Sequence, residues 1–499
     1  MDFLKEITIT FSESKKRNFE KFMARKRPNS ARKDIQVFES LYQSYLNPKK
    51  SANIFKGKAT YHAIRKRITK ELINFLILES STSEIKENNR ELMLIVAKHF
   101  IDFKKYEQAW EILKKEERNC DENKDFLLNL KIQRLMLSIL PYYPLVDFEL
   151  IKSKTLSLQT QQAQVDEFQL YFVQIKNMFI DKIEKGDVSV SSDLINKAID
   201  QYDNIKKHLN QPEIHLKIIE IIRTQYAVNK NFESLSKIIT NYYNQINIED
   251  YKKNFTDVIA NIEYIMAYTF LEIRDFKRLK QHLFNLKNVM SIDETVMTTN
   301  IGRAVALESF VNIFENSLDE GIALIEDTLN NYENKITLRE RLNLSLNLAA
   351  YHILEQNLKI ANRIINEFNK SESYYQKNMG KEWVLRKQMI KSIILIDLKH
   401  IDLAEKVIKG IKTNYKDLFE KRQYKMVKPF ILAIEKYIAS PHEVKLKLLE
   451  EIEQVINLNK NKVFKDPRLI IFYAWLRSKF TKNTDIYSIL KEEYQKLNR

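Results

Sequence analysis

The sequence predicts an all-α fold: a right-handed superhelical stack of antiparallel helix pairs behind a small N-terminal helical bundle. Three observations carry this expectation. Glycine and proline are scarce, with 6 and 8 among 499 residues, whereas sheets, barrels and nucleotide-binding α/β folds need many glycines for turns and close backbone approach. Apolar residues recur at helical spacing along most of the chain. A weak unit also recurs at a nearly fixed interval, the sign of a repeat architecture.

The length exceeds one ordinary compact core, so the chain must divide or grow as a stack. Hydrophobic residues at 44% and charged residues at 30% give the balance of a folded protein. The 27 Phe and 24 Tyr can fill large cores.

Two regions are expected, residues 1–80 and 89–499. The first reads as three short helices. One runs from about Ser12 to Ala24 and buries Phe19, Phe22 and Met23. A second, about Ala31 to Leu46, sets Ile35, Phe38, Leu41, Tyr42 and Tyr45 on one face; Pro48 follows as a breaker. The third, about Lys58 to Leu78, carries Tyr61, Ile64, Ile68, Leu72, Phe75 and Leu76.

From Asn89 onward the pattern is of long amphipathic helices in pairs. The clearest unit is FIDFKKYEQAWEIL, Phe100 to Leu113, where a polar turn separates one helix from another that starts at Tyr106 and places Ala109 three residues on. Similar units start at Phe232, Phe276, Leu318, Leu358 and Ile401, spaced 44, 42, 40 and 43 residues apart. Ile486 lies 85 further on, and Tyr106 precedes Phe232 by 126, near two and three periods. Units near 148 and 194 are degenerate, although Ser192 to Tyr202 fits loosely.

On these residues, Tyr106 to Ala109 and Leu358 to Ala361 above all, residues 89–499 resemble the tetratricopeptide (TPR) family and its longer-helix relatives. The usual period is 34 residues, so about 42 implies longer helices. The resemblance implies stacked helical hairpins whose concave surface binds a peptide, a helix or another domain. The N-terminal segment, through ESKKRNFEKFM, the second helix and YHAIRKRITKELINFL, is similar to the opening of an uncharacterised group of bacterial helical-repeat proteins, which implies no activity.

No catalytic, cofactor or metal site is expected. The glycines at 57, 186, 302, 321, 380 and 410 are too far apart for a phosphate loop or dinucleotide fingerprint. The eight histidines are scattered and read as surface or helix-end residues. His208 and His215, the nearest pair, would sit about 10 Å apart even on one helix. No G-x-S-x-G elbow occurs. The single cysteine, Cys120, lies among acids, which raise rather than lower a thiol pKa. One cysteine, no apolar signal segment and no membrane-length apolar run point to a cytoplasmic protein.

The basic N-terminal region is the positive signal. Of the net charge of +16, residues 1–80 hold +10, from 18 Lys+Arg against 8 Asp+Glu. Lys15, Lys16, Arg17, Lys21, Arg25, Lys26, Arg27, Arg32 and Lys33 form one cluster; Lys49, Lys50, Lys56, Lys58, Arg65, Lys66, Arg67 and Lys70 form another. On the third helix His62, Arg65, Lys66 and Lys70 fall opposite the apolar stripe. A phosphate-facing, helix-turn-helix-like module would have this footprint, and so would a solvated lysine-rich face.

Two functional expectations follow. One is a scaffold that holds a protein or peptide in the concave groove, with the N-terminal bundle capping the stack. The other is a nucleic-acid-associated regulator whose basic bundle contacts DNA or RNA. First helices of repeats line the concave side, so Asn261 to Thr269, Asn343 to His352 and Lys387 to Ile394 are the expected groove stretches. Asn343, Asn347 and Tyr351, spaced by four, share a face with Arg386 and Lys391 nearby, and these five are the candidate groove contacts.

Overall fold

A computed structural model of the chain describes residues 4, 11, 13–26, 31–46, 59–84, 89–123, 126–143, 148–185, 192–206, 212–228, 231–252, 255–315, 317–332, 335–419, 427–439, 469–479 and 485–497. Among the described residues every regular element is a helix. None of these helices is long and apolar enough to cross a membrane. The chain forms two compact units, Met1–Asp166 and Glu167–Arg499.

The first unit opens with α1 (Glu13–Lys26), α2 (Ala31–Leu46) and α3 (Ala59–Glu84), each in contact with the other two. Phe19 is the centre of their shared core. Its ring lies 4.8 Å from Phe38, 5.4 Å from Phe75 and 6.2 Å from Phe11. The predicted stripes supply this core, but Leu4, Phe11 and Val37 also join it. Helix α3 runs on through the polar SSTSE, where a break was expected; that stretch holds neither Gly nor Pro to stop it.

Helices α4 (Asn89–Asp102), α5 (Tyr106–Asn123) and α6 (Phe126–Ile139) build a second core around Ala97, Ala109, Leu113, Ile132 and Met136. Glu117 is buried between them. Burial works to raise its pKa, yet hydrogen bonds from Lys114, Lys154 and Gln133 outweigh that and hold the carboxyl below its ordinary range. Lys154 comes from α7 (Phe148–Lys185), one uninterrupted helix of 38 residues. A degenerate helix pair was expected near 148. The sequence between Pro144 and Gly186 contains no helix breaker, so no turn forms.

After α8 (Ser192–Ile205) the second unit is a series of adjacent, contacting pairs. They are α9 (Pro212–Val228) with α10 (Phe232–Tyr243), α11 (Thr256–Glu272) with α12 (Phe276–Met290), α13 (Glu294–Phe314) with α14 (Leu318–Tyr332), and α15 (Leu338–Leu354) with α16 (Leu358–Glu367). A short α17 (Glu372–Met379) precedes the pair α18 (Lys381–Asp397) and α19 (Ile401–Asn414). Helix α20 (Val427–Ala439) follows, and α21 (Leu469–Ser478) pairs with α22 (Ile486–Leu497). Successive first helices also pack on one another: α9 on α11, α11 on α13, α13 on α15, α15 on α18. The architecture is helical-repeat-like, with stacked neighbouring pairs.

Every repeat landmark read from the sequence is the first residue of a helix: Tyr106, Phe232, Phe276, Leu318, Leu358, Ile401 and Ile486. The position three residues on is buried each time. The turn before it is also repeated. Lys104, Arg274, Gln356 and Lys399, each two residues before such a start, have φ between 58° and 64°. In each case the next residue donates its N–H six-to-one across the helix end, as in Asp275 to Phe270 and His400 to Leu395, both 2.9 Å. These are Schellman turns with a non-glycine left-handed residue.

First and second helices differ in burial. In α11, 12 of 17 residues are buried; in α16 only Ala361, Ile364 and Ile365 are. A helix enclosed on most sides must satisfy its polar groups internally. Glu263, fully buried on α11, accepts from the Tyr243 hydroxyl at 2.7 Å and meets His282 Nδ1 at 2.7 Å. His215 Nδ1 lies 2.7 Å from the Tyr202 hydroxyl. So His215 and His282 are buried core residues, against the surface or helix-end reading, while His352 is buried but lies in the last turn of α15, a helix end.

Two predictions follow from this packing. Gly302 of α13 faces α15, where an added Cβ would stand 2.9 Å from the Glu340 Cβ. Gly302→Ala should lower the unfolding free energy by about 1–3 kcal/mol in urea melts; an unchanged midpoint would contradict this contact. Burial, aided by the Lys206 charge, lowers the His215 pKa to about 4. Its unfolded value is about 6.5, so His215 is neutral in the fold. Its contribution is complete above pH 6.5 and fades as pH falls towards 4, a loss on the order of 3 kcal/mol. Melts between pH 7 and 4 should show a shallower decline in the double variant Tyr202→Phe/His215→Leu than in the parent.

Candidate functional site

The second unit holds a half-open cavity of about 310 Å³. Four of the first helices, α11, α13, α15 and α18, each give it one stripe at three- and four-residue spacing. Tyr264, Tyr268 and Leu271 come from α11; Arg303, Leu307 and Phe310 from α13. Asn343, Asn347 and Tyr351 come from α15; Arg386, Ile390 and Ile393 from α18. Arg223 of α9 joins them. Ile471 and Phe472 of α21 complete the wall. None of the second helices α10, α12, α14, α16 and α19 contributes.

Helix α21 is held by polar anchors. Trp475 Nε1 donates to Asp397 at 2.9 Å, and Lys479 Nζ pairs with the same carboxylate at 2.6 Å. The following helix reaches back further. The Tyr487 hydroxyl donates to the Ile313 carbonyl at 2.8 Å, and the Tyr494 ring lies 4.4 Å from Phe314 and 5.6 Å from Phe276. The polar end of α22 therefore places Tyr494 against α12 and α13.

The polar part of the cavity is cationic and aromatic. The Arg223 guanidinium lies 5.2 Å from the Tyr268 ring and 5.9 Å from Tyr264; Arg303 lies 5.3 Å from Tyr264. Arg303 also pairs with Glu340 at 3.2 Å and donates to Asn261 Oδ1 at 3.0 Å. Tyr351 is 1% exposed, with its hydroxyl 3.4 Å from Ser309 Oγ. Burial raises its pKa, while the Ser309 contact and the Arg386 charge act in the other direction. The net shift is upward, so the phenol stays a neutral hydrogen-bonding group.

Of the five groove candidates, Asn343, Asn347, Tyr351 and Arg386 line this cavity together; Lys391, half-buried on α18, does not. Tyr264 and Tyr268 fall within an expected stretch. Arg223, Arg303, Ile471 and Phe472 were not anticipated. The two arginines had a signal, each a lone cation in a buried helix run (IIEIIRTQY and NIGRAVAL). The two apolar residues had none, since only the tertiary fold brings α21 there.

The N-terminal basic residues are dispersed in role. Lys16 is buried, 3.7 Å from Glu39, 3.8 Å from Glu20 and over the Tyr42 ring. Arg67 makes a two-pronged ion pair with buried Asp34, at 2.6 and 3.0 Å. Lys15 lies over Phe11 and Arg65 over Tyr61, both half-buried. Arg17, Lys21, Arg25, Lys66 and Lys70 are exposed. Arg27, Lys49, Lys50, Lys56 and Lys58 lie outside the described residues, as do the side chains of Lys26, Arg32 and Lys33.

No family model matches the chain, and no curated protein or solved structure matches it.

Proposed function

We propose that this chain is a non-catalytic interaction scaffold that binds a protein or peptide partner through the concave face of a TPR-like array. In this reading the pairs coil into a right-handed superhelix, first helices inside, with α1–α3 as a capping bundle. One observation supports it above others: the cavity draws its lining from one row of helices, the first of each pair, together with α21. Convergent arginine, asparagine and tyrosine side chains over an apolar floor are the composition of a recognition surface.

A second reading, a nucleic-acid-associated regulator, draws on one specific feature. Arg17, Lys21 and Arg25 are exposed at four-residue spacing, so they form one cationic stripe along α1.

The two are separated by affinity capture and by titration of duplex DNA and single-stranded RNA. The scaffold reading expects that Asn343→Ala/Arg386→Ala removes partners that the parent retains, while Lys406→Ala, on an exposed second-helix position, keeps them. Equal capture by both variants would sink it. The regulator reading expects salt-dependent binding whose slope in log K against log salt falls by about 3 in the Arg17/Lys21/Arg25→Gln variant. An unchanged slope would sink that one.

A further inference from the structure

The charged side chains in the cavity wall are Arg223, Glu272, Arg303 and Arg386. Most are already engaged. Arg303 pairs with Glu340 at 3.2 Å, and Glu272 and Arg386 have partners of their own. Arg223 is the exception. Its guanidinium meets the rings of Tyr268 and Tyr264 and, among the described residues, no carboxylate or other hydrogen-bond acceptor. Aromatic rings fix where an arginine sits but leave its N–H donors unused, and the group stays charged. Half-buried, it has lost part of its hydration without gaining an opposite charge.

Other polar groups of the wall are in the same state. Both Arg223 and Arg303 approach the Tyr264 ring, at 5.9 and 5.3 Å, and the half-buried Tyr264 hydroxyl has no hydrogen-bond partner among the described residues. Asn343 and Asn347, one helical turn apart on α15, are also half-buried and also without such a partner. A carboxamide offers donor and acceptor together, the pattern that a peptide group complements. An inorganic anion would satisfy the Arg223 end and leave these two amides unmatched.

The spacing suits a chain rather than a single group. Helix α11 packs on α13 and α13 on α15, two steps of about 8–10 Å each. An extended chain advances about 3.3 Å per residue, so about five or six residues cover that distance. Past α15 the wall is apolar, with Ile390, Ile393 and Phe472.

We propose that the cavity is the docking site of an extended peptide segment that carries an acidic side chain. The acid meets Arg223 and the Tyr264 hydroxyl, the backbone lies against Asn343 and Asn347, and an apolar side chain sits at Ile390, Ile393 and Phe472. This rests on the reading of the first-helix face as a binding face and names the chemistry of its partner.

The test is calorimetric titration of the full chain with nonapeptides, acetylated and amidated so that no terminal charge contributes. One pair carries Glu-Glu at one end and Leu-Phe at the other, in both chain directions; a comparison pair has Gln in place of Glu. Saturable binding of one acidic peptide is expected, about tenfold or more tighter than its Gln counterpart, the worth of one charged hydrogen bond. Arg223→Gln should erase that preference. Tyr264→Phe, which removes a hydroxyl alone, should reduce it. Asn343→Ala/Asn347→Ala should weaken Glu and Gln peptides alike, because the acid keeps its partner. Equal binding of Glu and Gln peptides, a preference that survives Arg223→Gln, or no saturable binding of either acidic peptide at millimolar concentration would overturn the proposal. Displacement of the bound peptide by equimolar inorganic phosphate would overturn it too and assign the Arg223 end to a small anion. None of these outcomes decides the capture experiment with Asn343→Ala/Arg386→Ala, on which the scaffold reading stands or falls separately.

Discussion

Close contact within each helix pair, at the fourth residue of the second helix, is the constraint on which the rest of the fold depends. Ala109, Leu235, Leu279, Gly321, Ala361, Ala404 and Ile489 occupy that place, and all are buried. Where the residue is smallest the helices nearly touch. A Cβ on Gly321 would stand 3.1 Å from the Ser309 carbonyl oxygen of α13. The turn ahead of the second helix must reverse the chain within a few residues, and ahead of Ala109, Leu279, Ala361 and Ala404 a left-handed residue does so. Lys104, Arg274, Gln356 and Lys399 accept that conformation without being glycine, at a cost of about 1–2 kcal/mol each. Pair contacts therefore outweigh local backbone preference.

From this contact the functional geometry follows. Each second helix covers one side of its first helix, and neighbouring first helices cover others. The first helices become nearly all-round buried and must hold their polar groups in internal bonds, as Glu263 does with Tyr243 and His282. One stripe on each remains partly open, and those stripes converge on the cavity. Arg223, Arg303 and Arg386 belong to them.

The helix pairs were legible in the sequence because their signals are local. A polar turn followed by an apolar start residue located seven helix starts to the residue, from Tyr106 to Ile486. Four of the cavity residues were also legible, since Asn343, Asn347 and Tyr351 obey a simple spacing. What was hidden is long-range. Nothing near Phe472 in sequence says that it shares a cavity with residues of α15 and α18, and Tyr494 gives no sign that it lies against Phe276. The 38-residue α7 was hidden for another reason: a period search expects a turn, and this segment contains only residues that propagate a helix. The buried histidines were misjudged because a typical solvated position was assumed where His215 and His282 each have a polar partner in the core.

The return of the C-terminal helices to α12 and α13, which adds α21 to the wall of the first-helix cavity, is the contact on which the site depends. It is tested most directly by intramolecular cross-linking of Phe276→Cys/Tyr494→Cys in a Cys120→Ser background with a short bis-maleimide, whose span tolerates the separation of positions whose rings meet. Concentration-independent intramolecular cross-linking between positions separated by more than 200 residues of chain is the predicted result. Two reactive thiols that each take up reagent but are not bridged within one chain, in a variant whose helical signal and melting match the parent, would contradict the account.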